Sequence, residues 1–170
     1  MNDTSFTLIV EGLDPSNSVQ VDALWSPSFR VTPTISGALE LIAVEAETDC
    51  PERLVREAVA HVRAAGVTVV RVDLDLVNAN TISENAGVSR QAVTNWVSGI
   101  RGDGKFPAPY TTIGPSRIWD WYSVREWLIR NAHPEVNSDP APLSPVQVSQ
   151  INATIATRPR RAPTSVSLGG

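Results

Sequence analysis

The sixteen residues from Ile82 to Val97, ISENAGVSRQAVTNWV, constrain the fold more than any other stretch of the chain. Apolar side chains recur through them at helical spacing, Ile82 and Ala86 in a first run, then Ala92, Val93, Trp96 and Val97 in a second. Between the runs, Gly87 can take the left-handed conformation that ends one helix and turns the chain. Thr81, three residues before Glu84, predicts a capping box on the first helix, and Ser89 predicts a cap on the second. The pattern is a helix, a tight glycine turn and a second helix with a polar start, a helix-turn-helix. In the second helix Arg90, Gln91, Thr94 and Asn95 share the face opposite Ala92, Val93 and Trp96.

The residues that follow cannot continue as helix. GDG and PAP interrupt it, and YTTI and RIWDW flank Gly114-Pro115 as the two arms of a β-wing. Ser123 and Glu126 predict the cap of a last short helix, SVREWLIRN, with Val124, Trp127 and Leu128 aimed at a core. Trp96, Trp119, Trp121 and Trp127 are read as that core and not as a base-stacking platform, because so small a domain needs large apolar side chains.

Ahead of this module the periodicity is different. FTLIVEG reads as a strand and SNSVQVDALWS as a short helix. FRVTPTI and ALELIAVEAE form a hairpin about Ser36-Gly37, with Pro33 placing the first arm at an edge or bulge. DCPERLVREAVAHVRAAG is a helix, with Asp49 as cap, Pro51 in the first turn, Glu52 completing a capping box and Gly66 at the end; VTVVRVDL is a strand. The order βαββαβ within about 70 residues is the ferredoxin-like pattern, a four-stranded antiparallel sheet with two helices on one face. The predicted class is therefore α+β: a ferredoxin-like domain over 1–76, a small winged helix-turn-helix domain over 77–133, and a proline-rich, aromatic-free flexible tail over 134–170 carrying the basic cluster RPRR.

The net charge of −4 is unevenly spread. Residues 1–76 hold 5 Lys/Arg against 12 Asp/Glu, residues 77–133 hold 6 against 4, and residues 134–170 hold 3 against 2. Contact with a polyanion is thus expected from the middle segment. One cysteine, Cys50, permits no internal disulfide and fits a reducing cytoplasm. No apolar run reaches the length of a bilayer span, and no basic segment precedes the first apolar stretch, so neither a membrane nor a secretory route is expected. GIRGDGKF lacks the Ser/Thr and the strand–loop–helix context of a phosphate loop. His61, His133 and Cys50 lack metal-ligand spacing, and no nucleophile–base set can be assembled, so no metal, cofactor or enzymatic activity is expected.

Taken as an ordered set, LVNANTISENAGVSRQAVTNWV, GKFPAPY and SRIWDWYSVREWL resemble the bacterial and phage winged helix-turn-helix DNA-binding proteins of the MerR/excisionase type. TVVRVDLDL resembles the lead-in of that family's two-domain members. The resemblance implies binding to double-stranded DNA, with the helix Arg90 to Ser98 entering the major groove and the wing approaching the backbone. The residue chemistry agrees. Arg90 can fork onto guanine O6 and N7, Gln91 and Asn95 can pair with adenine, and Thr94 can meet a thymine methyl. Ser89 and the first helical N–H groups suit a phosphate, and Arg101, Lys105 and Arg117 are candidate phosphate contacts from loop and wing.

The expected activity is that of a sequence-specific transcriptional regulator. Because one recognition helix buries little surface, a homodimer paired through residues 1–76 is expected, or a protein partner for that acidic domain. Two alternatives stand beside it: a protein-interaction adaptor with a degenerate helix-turn-helix, suggested by the small basic excess and Asp103, and an excisionase-like architectural DNA-binding protein.

Overall fold

Alternation along the first strand decides the first core. In β1 (Asn2–Glu11), Phe6, Leu8 and Val10 are buried at 7%, 0% and 3% exposure and point to one face. After α1 (Ser18–Leu24), capped by the Asn17 side chain on Gln20 N, the chain forms β2 (Arg30–Ser36) and β3 (Leu39–Thr48) around Gly37, whose φ of 62° the two-residue turn requires. α2 (Pro51–Ala64) lays Leu54, Val55, Ala58, Val59 and Val62 on the sheet, and β4 (Thr68–Val72) follows. Strand order is β2-β3-β1-β4 with every neighbouring pair antiparallel. Pro33 sits in an edge strand, as expected from its missing donor. The structure, a computed structural model, describes residues 2–131, 133, 136 and 139–156.

A second core begins at β5 (Leu76–Asn78), which the sequence reading assigned to no strand. It pairs with β7 (Ser116–Asp120), which pairs in turn with β6 (Thr111–Ile113) across the Gly114-Pro115 turn, giving a three-stranded sheet β5-β7-β6. α3 (Ala79–Asn85), α4 (Arg90–Val97) and α5 (Trp121–Arg130) pack on it through Ile82, Val93, Trp96, Val124, Trp127 and Leu128. The fold is thus α+β, with two sheets and two hydrophobic cores among the described residues. No helix among the described residues is long and apolar enough to cross a membrane.

Three predicted caps are corrected. Asn78, not Thr81, caps α3, its carboxamide oxygen accepting from Asn80 N and Thr81 N. Asp120, not Ser123, caps α5 by accepting from Ser123 N. Cys50, not Asp49, occupies the cap position of α2 and its side chain caps no backbone N–H, the thiol donating instead to Glu52 Oε2; Glu52 accepts from the Gln147 carboxamide and closes no box. In the first two cases the reason is the same. The cap is the residue on which a paired strand ends, so the extended conformation a cap needs is fixed by sheet pairing.

The expectation of a flexible tail fails for residues 141–156. β8 (Ala141–Pro142) pairs in parallel with Thr4 and Ser5, on the side of β1 not taken by β3. α6 (Pro145–Ala156) then seats Val148 and Ile155 in the first core, with Leu143 before them and Ile151 packed alongside. Asn152 accepts from Val72 N at 2.7 Å and donates to Val72 O at 2.9 Å, completing the outer edge of β4 as another strand would. Burial and this edge bond hold a segment whose composition reads as disordered. The RPRR cluster lies outside the described residues.

Candidate nucleic-acid interface

The turn between α3 and α4 is closed by backbone bonds, Gly87 N to Glu84 O and Val88 N to Ser83 O, with Gly87 at φ 61°. Ser89 caps α4 as expected, its hydroxyl accepting from Ala92 N at 3.2 Å. Val93 and Trp96, at 0% and 6% exposure, fix the rotation of α4 about its axis. The other side of the helix is thereby turned outward: Arg90, Gln91, Thr94 and Ser98 are exposed, and Asn95 is half-buried.

The candidate readers are partly ordered by one another. Gln91 Nε2 donates to Asn95 Oδ1 at 3.1 Å, an i,i+4 bond along the outer face. Thr94 Oγ1 donates to Arg90 O at 3.0 Å, which occupies its donor. Ser98 Oγ donates to Thr94 O at 2.7 Å.

Arg90, Thr94 and Ser98 form a row at four-residue spacing along one wall of a cleft of 640 Å³. The same cleft is lined by Pro115, Ser116 and Arg117 of the wing and by Asn78 and Asn80 at the start of α3. The cleft therefore joins three of the predicted positions, Arg90, Thr94 and Arg117, and adds Asn78 and Asn80, which the sequence reading did not single out. Asn78 ends the unrecognised strand β5, and Asn80 lies in the first turn of α3, which follows it directly. Ser89, Gln91, Asn95, Arg101 and Lys105 do not line it.

Arg101 and Lys105 are exposed on the loop after α4. That loop is tied to α5. Asp103 accepts from Trp127 Nε1 at 2.8 Å and from Lys105 N at 3.0 Å, and its own N–H donates to Asn131 Oδ1. The Lys105 N–H, then the Trp127 indole, hold the Asp103 carboxyl below the ordinary aspartate range. The acidic residue in a basic loop is thus a structural anchor. Gly102 lies against the Trp127 ring with φ 87°, so a Cβ there would overlap the indole and strain the backbone. Gly102→Ala should destabilise the second core by about 2 kcal/mol, measured by chemical denaturation monitored through tryptophan fluorescence.

All four tryptophans of this module are buried, at 0–6% exposure, and Trp96, Phe106 and Trp127 pack ring against ring with centroids 4.9–6.5 Å apart. His61 faces the Leu24 carbonyl at 3.1 Å and the Phe29 ring, so it is occupied by packing. Among the described residues no group of three or more His, Cys, Asp or Glu side chains is placed to hold a metal ion. The sequence matches no family model, and no curated protein or solved structure is a match to it.

Proposed function

We propose that the protein is a sequence-specific, double-stranded-DNA-binding regulator, acting in the cytoplasm. In this reading residues 77–133 form a winged helix-turn-helix, residues 1–76 form a ferredoxin-like domain, and α4 enters the major groove. The observation that supports it most is the outward row on α4, Arg90, Thr94 and Ser98, lining one cleft together with Arg117 of the wing. Arg90 reads guanine or grips the adjoining phosphate, the Thr94 methyl meets a thymine, and Gln91 and Asn95 reach base edges once their mutual bond opens. Arg117, Arg101 and Lys105 contact phosphates, and Ser89 with the first N–H groups of α4 offers a further phosphate seat.

Selection from random duplexes at two salt concentrations tests this. One enriched motif is expected, with affinity falling steeply as salt rises because phosphate contacts release counterions. Arg90→Ala should weaken binding to the selected site by about 10- to 100-fold and relax one base position. Absence of enrichment at low salt would reject the reading in favour of a protein-interaction adaptor, and strong bending of the selected duplex would indicate an architectural role.

A further inference from the structure

A groove of 330 Å³ on the first core is lined by both α2 and α6. One face of α2 lines it over three turns with Glu52, Val55, Arg56, Val59, Ala60 and Arg63, residues three or four apart. Ile151 and Ile155 line it from α6. The first turns of the two helices are joined, Gln147 Nε2 donating to Glu52 Oε1 at 2.7 Å. Val55, Val59 and Ile155 are buried and Ile151 is half-buried, so the apolar lining is recessed.

We propose that this groove binds a small amphipathic acid, its apolar body against Val55, Val59, Ile151 and Ile155 and its carboxylate on Arg63. The site goes beyond the DNA-binding reading and does not depend on it. Charge carries the assignment. Residues 1–76 hold 5 basic side chains against 12 carboxylates. Arg30 pairs with Glu45, Arg53 with Glu57 and Arg71 with Asp73. The other two, Arg56 and Arg63, make no ion pair among the described residues, and both line the groove. Arg56 lies within electrostatic reach of Glu52. Arg63 is half-buried with no such offset, and a guanidinium without a counter-charge beside apolar side chains is stabilised when an anion meets it. Glu52 and Arg63 stand about 16 Å apart along α2, so the groove has a polarity: the Glu52 carboxylate repels an anionic head and leaves it at the Arg63 end. Size and shape favour a small molecule. The volume lies within the range of small-ligand pockets, and the recessed side chains offer a partner helix no protruding anchor. Residues 157–170 carry Arg158, Arg160 and Arg161 and no acidic side chain, so they supply no side-chain counter-charge.

The experiment is isothermal titration calorimetry of the full chain with sodium octanoate, and with 1-octanol as its uncharged match. Octanoate should bind with a dissociation constant on the order of 100 μM, as suits so small a ligand, and 1-octanol at least about 10-fold more weakly for want of the charge-assisted bond. Arg63→Gln should weaken octanoate by at least about 10-fold and leave 1-octanol unchanged. Ala60→Phe, which sets a ring in the groove, should weaken both. Ala60 is exposed, so a melt of unliganded Ala60→Phe at or above that of the parent separates a filled groove from a lost fold. No saturation by octanoate below about 2 mM, well above the affinity expected for its size, overturns the proposal. So does equal binding of the acid and the alcohol, or octanoate binding indifferent to Arg63→Gln or to Ala60→Phe. An acidic amphipathic helical peptide that saturates the groove where octanoate does not would overturn it in favour of a protein partner.

Discussion

A chain ending at Pro140 should lose its first core as a stable unit, with the midpoint of that domain's thermal transition falling by at least roughly 20 °C. The cut removes β8 and α6 but keeps the carbonyls of Val136 and Asp139, to which the buried Arg125 donates at 3.2 Å, so the second core is spared. What is lost is the burial of Leu143, Val148 and Ile155, with Ile151 beside them. Each fully buried aliphatic side chain contributes about 1.5–3 kcal/mol, so together they stabilise the domain by at least about 5 kcal/mol. That approaches the whole stability of a small domain. Removing Asn152 also frees the backbone edge at Val72, so the truncated protein should aggregate through β4 as well as melt early. Differential scanning calorimetry beside the full chain decides the matter. A midpoint within about 2 °C of the full chain, well below the shift a lost core residue causes, would mean that 141–170 adds nothing to the fold.

The same segment shows where sequence reading stops. The order of the first six elements was legible because each is marked locally: alternation in β1 and β3, the Ser-Gly turn at residues 36–37, the apolar stripe of α2 and the glycine at 66 that ends it. The turn at Gly87 and the wing at Gly114 were legible for the same reason. By contrast, PVQVSQINATIA carries no charge and several poor helix formers; its helix follows from Val148 and Ile155 finding the first core far away in sequence. The caps depended on a distant partner too. Asn78 and Asp120 are cap residues because β5 and β7 pair there, Val77 opposite Trp119, and β5 is three residues long. At the candidate interface, the outward row on α4 came from helical spacing alone. The tie of Asp103 to Trp127 is a contact across 24 residues, which spacing does not reveal.

Trp127→Ala should unfold the second core at ambient temperature while the first stays native. The Trp127 ring is at 0% exposure, with the Phe106 centroid at 4.9 Å and the Trp96 centroid at 5.3 Å. Truncating a buried aromatic of this size costs about 3–5 kcal/mol through lost transfer energy and the cavity left behind. A module of this size has little more than that in reserve. The consequence reaches the candidate interface by a named route. Without the indole, Asp103 loses its partner, the loop bearing Arg101 and Lys105 loses its tie to α5, and Trp96, which sets the rotation of α4, loses its neighbour. Two-dimensional NMR should therefore show collapsed signals for residues 77–131 and retained dispersion for β1–β4, and the proposed DNA binding should be lost with them. Trp127→Phe separates packing from the hydrogen bond, since it keeps a ring and removes the donor. The Asp103 carboxyl is held below its ordinary value, so its contribution is present above the unfolded-state value and is lost as pH falls through the lower folded-state value. Trp127→Phe removes one of the two main causes of that depression, so acid unfolding of the second core should begin at higher pH than in the parent and depend less steeply on pH. An unchanged acid transition in Trp127→Phe would show that the Lys105 N–H alone holds the carboxylate; a fully folded Trp127→Ala would show that the core is carried by Trp96, Trp119 and Phe106 without it.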